Sequence, residues 1–215
     1  MIYILGAGGM ARETLSYYRD LRKFDEVAGF IEEGYSGKER TIDGKKINDA
    51  ANIDPLDKDT KFIAAIGSPL KKRWVTIIEG LGCSFDTILH PSAVSGADVH
   101  IGEGCIICPG VVLTCDLTIN KHSIVNISAT INHDAQIGSF VTICPGVNIA
   151  GNVTVGDGCW IGIGATVIDN TKIGQGSYIG AGAVVTQDVP ENVLALGIPA
   201  QPVKQMSEID WKNLV

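Results

Sequence analysis

The sequence predicts two dissimilar parts: a small α/β unit of parallel strands and helices, then a parallel β-solenoid. Two observations carry this. From Ile101 to Val185 an aliphatic residue heads every sixth position fifteen times in succession, and the fifth residue of each hexad, from Cys105 to Val189, is uncharged and no larger than Leu. Before residue 89, by contrast, apolar runs of four or five residues alternate with segments of helical pattern, which is the grammar of strand–helix–strand units. A period of six fits neither the 3.6 of a helix nor the alternation of one sheet, but it fits short strands with a turn after each. With three hexads to a coil, residues eighteen apart stack at roughly the 4.8 Å spacing of neighbouring strands.

Taken in order, Ile2 to Leu5 reads as a buried strand, 6–10 as a glycine-rich turn, and 11–22 as a helix with Leu15, Tyr18 and Leu21 on one face. Residues 27–31 form a second strand that runs into Glu32-Glu33, and a polar stretch follows over 34–61. A third strand spans 62–66, Ser68-Pro69 starts a helix to about residue 81, and 85–89 is a fourth strand. Leu89 to Val94 enters the solenoid, with an incomplete first coil through His100, and five regular coils follow. Gly197-Ile198-Pro199-Ala200 is a turn-rich exit, and 207–215 forms a short helix carrying Trp211 and Leu214. The domains are therefore 1–88 (a βαβ unit), 89–190 (the solenoid) and 191–215 (a C-terminal extension).

In 215 residues, 45% of them hydrophobic, there is ample material for a core. A net charge of −7 without a Lys/Arg block argues against nucleic-acid or anionic-membrane partners. No apolar run approaches membrane-spanning length and no leader pattern opens the chain, so a cytoplasmic location is expected. Many of the glycines fall at the second and fourth places of the hexads, where turns favour positive φ. Cys105 and Cys108 form a lone CxxC and are read as buried free thiols.

Two stretches carry chemistry. Gly6-x-Gly8-x-x-Ala11, after a strand and opening a helix, can bring backbone N–H groups to a phosphate, with Glu32-Glu33 placed for ribose hydroxyls. A unit of under ninety residues is about half of a doubly wound sheet, so a mononucleotide or nucleotide-sugar is expected over a dinucleotide. A glycine turn that only packs strand on helix also fits these residues. In the solenoid, His133 follows the inward Ile131 and precedes Asp134, an arrangement that suits a general base near neutral pH. The eighteen-residue rule puts Gly151 above His133 and Cys115 below, so the Gly151 N–H can face a reacting carbonyl. Asp134 stacks between Asp116 and Asn152. On the residues alone an ordinary turn histidine fits equally. His90, His100 and His122 are read as structural, the last two at solvated turn places. No metal site is expected, because the histidines fall in different phases of the hexad.

The hexads, together with "GAGG", "FIEE", "AIGS", "LHPSAV", "NHD", "PGVNIAGNVTVGDGCWIGIGATV" and "GIPA", resemble the hexapeptide-repeat sugar acetyltransferases. These are typified by bacterial UDP-4-amino-sugar (bacillosamine-type) N-acetyltransferases, with sialic-acid O-acetyltransferases as relatives. The resemblance extends to about Lys204. It implies a Rossmann-like N-terminal unit followed by a left-handed parallel β-helix, assembled as a homotrimer with active sites between subunits. It further implies transfer of acetyl from acetyl-CoA to an amino group, expected at C4, of a nucleotide-linked deoxy sugar, with sugar O-acetylation as the alternative. His133 would be the general base and Asp134 its partner. Gly8, Gly9, Met10, Glu32, Glu33 and Gly67 would hold the nucleotide sugar, and Thr142, Gly151, Ile163 and Ala181 the acetyl-CoA. The chain departs from the family pattern at Met10, often His there, at Glu32-Glu33 in place of Asp-Asp, and at Thr142, which is His in some members.

Overall fold

A computed structural model describes residues 1–34, 39–50 and 59–207 of the chain. It divides into two compact units, one of residues 1–67 with 71–87, the other of residues 68–70 with 88–215.

The first unit is a six-stranded sheet. Its strands are β1 (Ile2–Leu5), β2 (Val27–Glu32), β3 (Thr41–Ile42), β4 (Lys45–Asp49), β5 (Lys61–Ala64) and β6 (Ser84–Phe85), in the order β3-β4-β2-β1-β5-β6. All neighbours are parallel except β3, an antiparallel edge strand on β4. The polar stretch 34–61, to which no element is assigned from sequence, thus supplies two strands. Helix α1 (Gly9–Asp20) buries Ala11, Leu15 and Tyr18. It stops short of the expected residue 22 because Arg22 adopts φ 58°, which ends a helix. Leu21 is accordingly left half-exposed. Helix α2 (Lys72–Gly80) follows a short 3₁₀ turn, Pro69–Lys71, and buries Val75 and Ile78. The Tyr18 hydroxyl donates to Asp86 Oδ2 at 3.0 Å, tying α1 to the chain just past β6.

The fourth strand expected over 85–89 is in fact two. Phe85 pairs with Phe62 in the first sheet, whereas Ile88 and Leu89 pair with Ile106 and Ile107 in the solenoid. The solenoid therefore starts with a complete coil, Ile88–Leu89, Val94–Ser95 and Val99–Ile101, not a partial one. The hexad pattern hides this coil because Ser95 stands where a head is due.

Three sheets of eight, six and five strands, parallel but for the last strand of the first, make the faces of the second unit. Their register obeys the eighteen-residue rule up to the last coil: Ile106 pairs with Ile124, Thr130 with Asn148 and Thr154 with Lys172. Every head except Ile101 is at most 2% exposed and every fifth residue at most 6%, so the core is two stacked inward columns on each face. Truncating one such Ile to Ala would cost about 2–5 kcal/mol. In the last coil the spacing shrinks to sixteen, Tyr178 pairing with Leu194, and Val189 takes the place of a head beside Ile173. Val193–Leu196 closes the stack, and the turn over 197–200 reverses the chain into the antiparallel Gln201–Gln205. Of the helix expected over 207–215, everything from residue 208 on, with Trp211 and Leu214, lies outside the described residues. Among the described residues no helix is long and apolar enough to cross a membrane.

Within the hexads only the fourth-place glycines use positive φ, Gly146 at 67° for example. Second-place glycines serve close approach instead: a Cβ on Gly138 would sit 2.7 Å from the Asp157 backbone nitrogen in the next coil. The thiols are structural, as expected. Cys105 and Cys159 donate to Asn120 O and Gly174 O, as the Ser123 and Ser177 hydroxyls do to Gly138 O and Pro190 O at the same inner corner. Burial pushes the Cys159 thiol up to about 12.

Candidate functional site

Each coil turns three corners, and each corner stacks one residue per coil. One corner carries Ala97, Cys115, His133, Gly151 and Asp169, each followed by a residue in the left-handed region: Asp98, Asp116, Asp134, Asn152 and Asn170. Asp and Asn tolerate that conformation because their short polar side chains bond locally. At Asp134, φ 60°, it swings the carboxylate back toward the preceding ring, and Oδ2 lies 2.9 Å from His133 Nδ1. A carboxylate only accepts, so Nδ1 carries the proton and Nε2 keeps its lone pair. The imidazole is 60% exposed, so Nε2 is open to a ligand. Gly151 is directly over the ring: a Cβ there would be 2.5 Å from Cε1 and 2.7 Å from Nε2.

Three expectations about turn residues need correction. The Gly151 N–H does not face outward free, because it donates to Asp169 Oδ1 at 2.9 Å. Asp169 carries no motif and is visible in the sequence only by counting eighteen from Gly151. Asn152, read as one of two groups able to relieve the stacked Asp116 and Asp134 carboxylates, turns away from them: its side-chain amide donates to Asn170 Oδ1 at 2.7 Å. His122 is not solvated but 2% exposed, stacked on Phe140 with ring centres 5.2 Å apart. His100 is exposed, and the His90 ring nitrogen Nδ1 lies 2.8 Å from Ser92 Oγ. Beneath His133, the hydrogen bond to Asp116 is the chief cause that holds the Cys115 thiol above its ordinary range. A thiol kept protonated is a poor nucleophile, which disfavours an acyl-cysteine route.

A second corner, one hexad earlier in each coil, is apolar: Pro109, Ile127, Pro145, Ile163 and Ala181. Ile163 is 61% exposed and Ala181, one coil on, is exposed too. Thr142 does not join them. It lies on a sheet between Ile124 and Trp160 and is only 1% exposed, so it offers no surface to an acetyl-CoA molecule.

In the first unit, the glycine turn leaves β1 at its carboxyl end. Gly6 needs its φ of 95° and lies against Ile66. Gly8 and Gly9 have no such need: neither has positive φ, and a Cβ on either meets nothing within 4 Å. Packing therefore does not explain them, and the space they leave borders the amino end of α1, which has no side-chain cap and no acid in its first turn. The half-buried Met10 accepts, through its carbonyl, the Thr14 hydroxyl at 2.8 Å. Glu32 and Glu33 end β2 beside this turn, paired with Arg40 at 4.0 Å and Arg73 at 3.2 Å. Gly67 follows β5 on the other side of β1. The strand order reverses at β1, and the carboxyl-end crevice at such a reversal is where open α/β sheets take ligands.

Fold and corner together define a solenoid acyltransferase type preceded by an α/β unit, and comparison with known proteins agrees. The family described as the PglD N-terminal domain matches residues 1–77, and the bacterial transferase hexapeptide (six repeats) matches residues 152–187. WeeI from Acinetobacter baumannii AYE is 30% identical over 94% of this chain and 99% of its own, with a TM-score of 0.86. A histidine-to-alanine mutant of GDP-perosamine N-acetyl transferase from Caulobacter crescentus, in complex with CoA and GDP-perosamine, is 29% identical over 95% and 97%, with a TM-score of 0.87. Galactoside O-acetyltransferase of Escherichia coli (strain K12) is 34% identical over 55 residues, 26% of this chain. The chain spans only about a quarter of the length of the curated relatives it matches. The chain belongs to the hexapeptide-repeat sugar acetyltransferases, enzymes for which acetyl-CoA is the acyl donor.

Proposed function

We propose that this protein transfers acetyl from acetyl-CoA to the amino group, at C4, of a nucleotide-linked deoxy sugar. The observation that carries the reading is the His133–Asp134 contact with an open Nε2 beneath a residue that has no side chain. The neutral amine attacks the thioester carbonyl, and Nε2 takes its proton as the N–C bond forms. The C–S bond then breaks, and the proton passes to the departing sulfur to give the CoA thiol. Asp134 holds the ring in the required tautomer and stabilises the imidazolium in between. Ile163 and Ala181 offer the pantetheine arm an apolar track.

Gly8 and Gly9 would admit the diphosphate to the amino end of α1, with Met10, Glu32, Glu33 and Gly67 around it. The complexes of GDP-perosamine N-acetyl transferase with CoA and GDP-perosamine support a nucleotide amino sugar as acceptor. A homotrimer is part of this reading. Base and donor track stand on different corners of one coil, six residues apart, which suits a base completed by the track of a neighbouring copy. The test is thiol release from acetyl-CoA against UDP-, dTDP- and GDP-linked 4-amino sugars, with free sialic acid as the hydroxyl acceptor. Release with an amino sugar supports the reading, and release with sialic acid alone rejects it.

A further inference from the structure

Asp169 is the one acid in the column Ala97, Cys115, His133, Gly151, Asp169, and it stands two coils above the base with only a glycine between. The imidazole leans up onto Gly151, while the Asp169 carboxylate leans down and takes the Gly151 N–H on Oδ1 at 2.9 Å. The Asn170 N–H, at 3.1 Å, holds the Gly151 carbonyl from the same coil. Both polar groups of Gly151 are thus fixed by the segment that carries the carboxylate. Asp169 itself is exposed, and Oδ2 is left to solvent. His133 and Asp169 therefore meet Gly151 from opposite sides, a proton acceptor below it and a fixed negative charge above.

We infer that Asp169 is a specificity-determining residue that selects an amine over a hydroxyl acceptor, holding the incoming group as an ammonium on Oδ2 above His133. The inference rests on the N-acetyl reading above. A primary amine reaches the site largely protonated at neutral pH, and an ammonium on a carboxylate forms a charge-assisted hydrogen bond that a hydroxyl cannot match. The ammonium gives one proton to water to become the nucleophile, and its second goes to Nε2 as the N–C bond forms. Asp169 orients and attracts without taking a proton, so it is separate from the His133–Asp134 pair.

Asp169→Asn separates charge from scaffold, since the Asn oxygen still accepts the Gly151 N–H. With the 4-amino sugar nucleotide that wild type turns over best, the variant is expected to raise the acceptor KM about tenfold or more. The acetyl-CoA KM and the thermal unfolding midpoint stay unchanged. The corresponding 4-hydroxy sugar nucleotide, used as a competitive inhibitor, binds wild type and variant alike, so the preference for amine collapses. An unchanged acceptor KM overturns the role of Asp169, and so does equal weakening of the amine and the hydroxyl compound, which would mark a scaffold effect. Wild type that releases no thiol with any amino sugar overturns the N-acetyl reading, and this role with it, before any variant is made.

Discussion

Gly151 packs on the ring of His133 although eighteen residues separate them: a methyl group at residue 151 would sit 2.5 Å from Cε1, so the column leaves no room for one. Gly151→Ala should thus act on the ring more than on the fold. The residue lacks positive φ, and the exposed imidazole can swing outward to relieve the clash. A base displaced by about 1 Å can cost on the order of 10²-fold in turnover. We expect that loss in kcat with a thermal midpoint close to wild type. Equal kcat in the two proteins would show that the contact has no bearing on turnover.

Gly8 offers the converse case, an open position where a side chain meets only a ligand. Its backbone, φ −80° and ψ −160°, is one that any residue adopts. Gly8→Val is expected to keep wild-type stability and lose about tenfold or more in affinity for a nucleoside diphosphate, read by calorimetric titration. Unchanged affinity would remove the phosphate from this turn.

Burial, and after it the charge of Asp86, hold the Tyr18 hydroxyl far above its ordinary ionisation range. The unfolded chain ionises this group near pH 10, so the stability it contributes is complete below pH 10 and lost above it. The expected slope is about 1.4 kcal/mol per pH unit. Of the five tyrosines, one should ionise in ultraviolet titration only as the protein unfolds. Tyr18→Phe should abolish that step and, by leaving the Asp86 carboxylate without its donor, lower stability at neutral pH by about 1–3 kcal/mol in urea unfolding. A fifth tyrosine that titrates in the native state would refute the assignment.

Much of this was legible in the sequence, because a hexad fixes both which way a side chain points and what lies eighteen residues away. His133 over Cys115 and under Gly151, and Ile163 under Ala181, follow from counting. Counting fails where the period breaks. Ser95 at a head position conceals the first coil, and the loss of two residues before Val189 shifts the last. It also says nothing of hydrogen-bond choice: the Gly151 N–H goes to Asp169 because that side chain happens to be in reach. Nor does it say what covers an outward residue, which is why Thr142 reads as a surface contact yet is buried. In the first unit the alternation of strands and helices is plain, but β3 and β4 are short and polar, without an apolar run to announce them.

The central claim is that His133 takes the proton of the acceptor amine. It is tested most directly by single-turnover thiol release from acetyl-CoA, with a 4-amino sugar nucleotide as acceptor, comparing wild type with His133→Ala. Loss of a general base predicts a rate about 10²- to 10⁴-fold lower, with acetyl-CoA still bound at wild-type affinity. A variant that releases thiol at nearly the wild-type rate would contradict the account.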